Sequence, residues 1–232
     1  MRRAHCAALP HDVGSDFVVE GDEAHHLVRV LRARPGDLFG VFDGAGRAIE
    51  AEVVSANRRT VTLRVLREVA SRTPARDIVL CTAIPRGQRM EWLVEKCTEA
   101  GVGRIVPLVT ARGVREGASA NQQRRWARSA LEAAKQCGRA DVPVVAEPTP
   151  VTRALADVTE RSLLLADPSS SAALGACLVE ACPVALFVGP EGGFDDAEHA
   201  QIVAAGAMPF ALGALILRVE TAAVVAVHAA AQ

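Results

Sequence analysis

The sequence predicts an α/β protein in two parts, a small β-rich module followed by a parallel sheet flanked by helices, and three observations carry that reading. Short, evenly spaced strand patterns separated by turn signals fill residues 1–70. Continuous apolar runs alternating with helical patterns fill the remainder. Near the carboxyl end, two glycine turns each leave a strand and feed a helix. In open α/β sheets, ligands bind beyond the carboxyl ends of the strands, which is where such turns lie.

In the first part, strands are expected at 17–19, 38–42, 49–54 and 61–66, divided by Pro35-Gly36-Asp37, Asp43-Gly44-Ala45-Gly46 and Asn57-Arg58-Arg59. Their spacing suits a small barrel. A helix is expected over 22–32, with Leu27, Val30 and Leu31 at core spacing. Arg29, Arg32 and Arg34 fall at its end, where cations favour the helix dipole; contact with a ligand is the other reading. The polar segment 71–76, with Pro74, reads as a linker between a module at 1–70 and a domain at 77–232.

The second part opens with an apolar run at 78–83, the pattern of a strand buried on both faces. An amphipathic helix follows at 89–100, with Gly101 as its C-cap. Further on come a strand at 102–109, a long helix at 122–137 ending at Gly138, and an edge segment at 142–145. A buried strand at 163–166 leads into Asp167-Pro168 and a serine-rich turn. The strand at 184–188 ends in Gly189-Pro190-Glu191-Gly192-Gly193-Phe194, and a short helix signal follows it. Residues 210–213 form a last strand and turn, and 216–223 open the final helix.

Half of the residues are hydrophobic, ample for a core, yet no apolar run reaches the length of a membrane span. The first residues, Met1-Arg2-Arg3-Ala4-His5, open no apolar run long enough for a secretion signal, so none is expected, and the six cysteines include no CxxC pair. Reduced thiols in a cytoplasmic protein are expected, and no His cluster has metal-ligand spacing, so no metal is expected. The net charge is −1, which alone argues against a nucleic-acid binder. Its distribution argues otherwise: 71–150 carries 13 basic and 8 acidic residues, whereas 151–232 carries 3 and 9. Arginine supplies nearly all of the positive charge, which suits phosphate and base contacts and equally suits a GC-rich genome.

The glycine turns narrow the ligand by what they lack. No Lys-Ser or Lys-Thr follows them and no GxGxxG spacing occurs, so neither the triphosphate-cradling loop nor the dinucleotide fingerprint is present. Glu191 reads either as a first-turn carboxylate favoured by the helix dipole or as part of a site. Arg218 and Glu220 read either as a helix-start pair or as catalytic groups. Cys137 reads as packing, and His25, His26 and His199 as surface polar groups.

Val188-Gly189-Pro190-Glu191-Gly192-Gly193-Phe194, with Leu212-Gly213 and Leu217-Arg218-x-Glu220-Thr221-Ala222, resembles the family of small-subunit ribosomal RNA uridine-N3 methyltransferases, methyltransferase E, of the SPOUT superfamily. Arg86-Gly87-x-Arg89-Met90-Glu91, Lys96-x-x-Glu99-x-Gly101-Val102 and the block from Glu132 to Pro143 agree in order with family blocks. The resemblance implies a PUA-like RNA-binding β-barrel, a SPOUT domain with a trefoil knot, and a homodimer. It implies methylation of N3 of a uridine in 16S ribosomal RNA, within the small subunit, with S-adenosyl-L-methionine as cofactor. The cofactor would be held by Leu165, Val188, Gly189, Pro190, Glu191, Gly192, Leu212, Gly213, Ile216, Leu217 and Thr221. Arg218 would act as the stabilising cation at the uracil carbonyl or at the cofactor carboxylate, while Glu220 orients Arg218 or accepts the proton. Arg29, Arg32, Arg86, Arg89 and Arg139 would contact RNA. Leu215 stands where the family has arginine, and Val219 where it has threonine, which weakens any RNA contact expected from that loop. Outside this reading stand a noncatalytic RNA-binding or ribosome-assembly protein, and an acyl-transfer hydrolase for which no Ser-His-Asp pattern is present.

Overall fold

Alternation along β-strands sorts apolar from polar side chains in the first part of the chain, as at Val61, Leu63 and Val65, buried while Arg64 is exposed. The computed structural model describes residues 2–71, 74, 76–113, 117–159, 161–180 and 182–232, so the linker expected at 71–76 lies partly outside the described residues, at 72, 73 and 75. The chain forms two compact units, one over Met1–Thr73 with Ala134–Val142, the other over Pro74–Ala133 with Pro143–Gln232. The division expected at 71–76 does not account for 134–142.

The first unit comprises β1 (Arg3–His5), β2 (Asp16–Glu20), α1 (Gly21–His25), β3 (Leu38–Phe42), β4 (Ala48–Ala56) and β5 (Thr60–Val69). Its sheet runs β1-β3-β4-β5-β2, antiparallel except that β1 pairs parallel with β3. Register shifts at Glu50/Ala51 and Val53/Ser55 bend β4 against β5 and curl the sheet around Leu27, Phe39, Val41, Ile49 and Leu63. The helix expected over 22–32 ends earlier. α1 passes into a π-helical turn, His26–Val30, and Arg32 takes a left-handed φ of 53°. The Ala33 N–H then closes on the Leu27 carbonyl, which satisfies an end carbonyl and stops the helix. Residues 134–142 complete this unit. Lys135 pairs with Glu23, Arg3 donates to the carbonyls of Ala134 and Arg139, and Val142 N–H donates to Gly44 O at 2.9 Å.

The second unit contains β6 (Ile78–Ala83), α2 (Arg89–Ala100), β7 (Arg104–Val109), most of α3 (Ala120–Cys137), β8 (Val144–Val145), β9 (Thr149–Pro150) and α4 (Val151–Ala156). It continues with β10 (Ser162–Ala166), α5 (Leu174–Cys177), β11 (Val184–Val188), α6 (Asp196–Ala204), β12 (Met208–Phe210) and α7 (Val219–Ala230). Its parallel sheet has the order β12-β10-β11-β6-β7-β8, with β9 beside β7. Every residue of β6 and β11 is buried, which is why both read as unbroken apolar runs. Gly101 caps α2 with φ 106°. The last strand is Met208–Phe210, its turn following, and α7 begins at Val219, within the segment 216–223 expected to open it. Among the described residues, no helix is long and apolar enough to cross a membrane.

Candidate functional site

β10, β11 and β12 run side by side in one direction, so the chain leaving their carboxyl ends gathers at one edge of the sheet. There it encloses a cavity of about 290 Å³. Leu165 and Val188 line it from the strand ends, and Gly189, Pro190, Glu191 and Gly192 from the first glycine turn. Leu212, Gly213, Ile216 and Leu217 line it from the second. Ten of the expected cofactor residues therefore meet in one place. Thr221 does not: Val219 and Ala222, three apart and so on one helix face, line the cavity instead. Ile216, expected as a wall of the site, is 85 % exposed at its mouth, and Leu215 beside it is 80 % exposed.

The first turn is built around Gly189. A Cβ there would come within 3.1 Å of the Phe194 backbone nitrogen and ring, so only glycine fits without moving the turn. Arg112 braces the same turn by donating to Gly192 O at 3.1 Å and Phe194 O at 3.2 Å. α6 is fixed by a capping box, with Asp195 Oδ1 accepting from Glu198 N–H and Glu198 Oε2 accepting from Asp195 N–H.

Sequence reasoning passed over three charged or titratable lining residues, Arg112, Asp167 and His199. Asp167 alone had a signal, its place at the carboxyl end of a strand. Its Oδ1 accepts from the Ser169 hydroxyl at 2.7 Å and N–H at 2.8 Å, and Oδ2 lies 3.5 Å from His199 Nε2. The Ser169 hydroxyl bond, foremost, holds this carboxyl below its ordinary range, and His199 adds to that. The lining combines two carboxylates, a guanidinium and an imidazole with apolar side chains. Asp167 and Glu191 present carboxylates, Leu165 and Leu217 present apolar walls, and the Arg112 guanidinium is taken up by carbonyls.

Beside the cavity, the expected Glu220–Arg218 pair is not formed. Glu220 is buried, and its oxygens accept from Arg89 Nη1 at 3.1 and 3.4 Å, because its position on α7 turns it toward α2. Arg218, the N-cap residue of α7, is exposed and has no side-chain hydrogen bond or ion pair among the described residues. Arg89, expected at RNA, is committed within the protein: it also donates to Arg86 O at 3.0 Å and to Glu191 Oε1 at 3.4 Å. Arg139, likewise expected at RNA, is 4 % exposed and holds Asp141 through Nε and Nη2. Arg29, Arg32 and Arg86 are exposed.

A family model described as an RNA methyltransferase domain matches residues 71–231, and one described as an RNA methyltransferase PUA domain matches 19–66. The chain is 34% identical over 227 residues to a ribosomal RNA small subunit methyltransferase E of Mycobacterium bovis, covering 94% of this chain and 87% of that protein. Its structure is similar, with a TM-score of 0.91 and 29% identity, to a ribosomal RNA small subunit methyltransferase E from Neisseria gonorrhoeae solved bound to S-adenosyl methionine. That match covers 98% of this chain and 95% of the other. A methyltransferase from Legionella pneumophila, solved with its cofactor SAM, is similar with a TM-score of 0.89 and 28% identity over 97% of this chain and 95% of that one.

Proposed function

We propose that this chain, which belongs to the ribosomal RNA small subunit methyltransferase E family, uses S-adenosyl-L-methionine to methylate N3 of a specific uridine in 16S ribosomal RNA. The observation that carries the reading is the cavity at the ends of β10, β11 and β12, where a cation finds two carboxylates and an adenine finds apolar walls. S-adenosyl-L-methionine, when bound, supplies a methyl group on a sulfonium sulfur, already a good electrophile. The residues around it have then to bind, orient and exclude water, and positioning of this kind is worth about 7–11 kcal/mol.

Leu165 and Leu217 would hold the adenine, and backbone groups of Gly189, Leu212 and Ile216 would read its edge. Uracil N3 carries a proton at neutral pH and attacks only as the anion, so that proton passes to solvent before N3 takes the methyl group from sulfur. Arg218, exposed and unpaired among the described residues at the head of α7, supports the reading that a cation stabilises that anion at a uracil carbonyl. Glu220 holds Arg89 rather than Arg218, and with both oxygens engaged there it is not assigned the proton. Arg29, Arg32 and Arg86, exposed, serve RNA phosphates. The reading further includes a knotted path through the carboxyl-terminal segment, a homodimer, a cytoplasmic location and a substrate presented within the small subunit.

Two measurements test it. Calorimetric titration with S-adenosylmethionine should give saturable binding; none, with or without ribosomal RNA, would favour a noncatalytic RNA-binding protein. Arg218→Ala should fold and bind the cofactor yet lose about 10²–10⁴-fold in methyl transfer, with the product mapped to uridine N3 by mass spectrometry. Near-normal turnover would remove Arg218 from the mechanism.

A further inference from the structure

Each nitrogen of the Arg89 guanidinium has a partner, and the partners come from three separate segments. Nε donates to Arg86 O in the β6–α2 connection, Nη1 to both oxygens of Glu220 in the first turn of α7, and Nη2 to Glu191 Oε1 in the first glycine turn. Glu191 lines the cavity. Glu220 stands two residues after Arg218 on the helix that Arg218 caps. One fork thus spans the wall of the ligand cavity and the mount of the cation proposed to act on the substrate.

The two ends differ in strength. The Glu220 side chain is 9% exposed, so losing Arg89 would leave a buried carboxylate without its partner. The Glu191 side chain is 46% exposed and its contact is long, so it is released at small cost. A cation entering the cavity attracts Glu191 and alters its hold on Arg89, while Arg89 stays anchored to α7.

We infer that Arg89 is a positioning residue that couples filling of the cavity to the placement of Arg218 at the start of α7, an inference that rests on the function proposed above. A lysine in its place keeps one charge for Glu220 but lacks the fork that reaches both carboxylates at once. Arg89→Lys is therefore the informative variant, because its buried carboxylate keeps a counter-charge.

The experiment follows amide hydrogen exchange over residues 219–223 with and without S-adenosylmethionine, together with calorimetric affinity and methyl transfer to small ribosomal subunits. In the wild type, the cofactor should slow exchange in this turn. In Arg89→Lys, affinity should stay within about fivefold, as loss of an exposed ion pair allows, the cofactor should no longer slow exchange there, and kcat should fall by about 10²-fold with KM little changed. Glu191→Gln should reproduce the exchange effect and add nothing to the kcat loss in the Arg89→Lys background. Cofactor-dependent protection and kcat that both persist in Arg89→Lys would overturn the inference alone. Wild-type protein that neither binds S-adenosylmethionine nor methylates would overturn the functional reading and this inference with it.

Discussion

At the scale of single residues, arginines of one chemical type serve opposite ends. Arg139 spends its charge on Asp141 in the interior of the first unit, whereas Arg29 and Arg32 hold theirs in solvent. Arg139→Met should cost about 1.5 kcal/mol in denaturant unfolding, since it removes charge-assisted hydrogen bonds to the half-buried Asp141 carboxylate. Arg29→Ala should change stability by under about 0.5 kcal/mol and instead weaken ribosomal RNA binding, most visibly at low salt. Asp167 carries a pH signature. Its folded carboxyl lies below the ordinary value of 3.8, so the stability it contributes is complete above that value and is lost as pH falls through its lower folded value. The stability gap between wild type and Asp167→Asn should therefore be constant near neutrality and close at acid pH. A gap that stayed open in acid would contradict this.

At the scale of elements, the turn leaving β11 and the start of α7 decide the shape of the cavity. Gly189→Ala forces its Cβ toward the Phe194 backbone, which cannot swing aside as a side-chain tip can. A loss of about 1–3 kcal/mol in stability is expected, with weaker cofactor binding, because 189–192 form a wall of the cavity. Gly175→Ala in α5 meets nothing within 4 Å and serves as the control. The glycine turns were legible because glycine and unbroken apolar runs are local signals, and all but one of the expected cofactor residues lie on them or at the ends of the strands beside them. Thr221 was misplaced because the start of a helix sets which of its faces looks inward, and α7 starts at Val219. Arg89 and Glu220, 131 residues apart, meet only through the order of strands, which no local pattern records. The same holds for Asp167 and His199, since α6 announces itself by its capping box and not by what its first turn faces.

At the scale of the whole molecule, the two units are not two successive stretches of chain. The helical pattern of α3 runs unbroken through Cys137, so nothing local marks that residues from Ala134 onward belong with the first unit. That segment contributes the Lys135–Glu23 pair, carbonyls for Arg3, and hydrogen bonds from Gly46 N–H to Ala140 O and from Val142 N–H to Gly44 O. Each such bond contributes about 1 kcal/mol, and an isolated module of about 70 residues has little stability to spare. A fragment of residues 1–70 should accordingly unfold with a low, broad thermal transition by circular dichroism. Joining residues 134–142 to it through a flexible glycine-serine linker should restore a cooperative transition, and Lys135→Ala in that joined fragment should lower it again. If 1–70 alone melted as sharply and at the same temperature as the joined fragment, the returning segment would be an accessory to the β-module rather than a part of it.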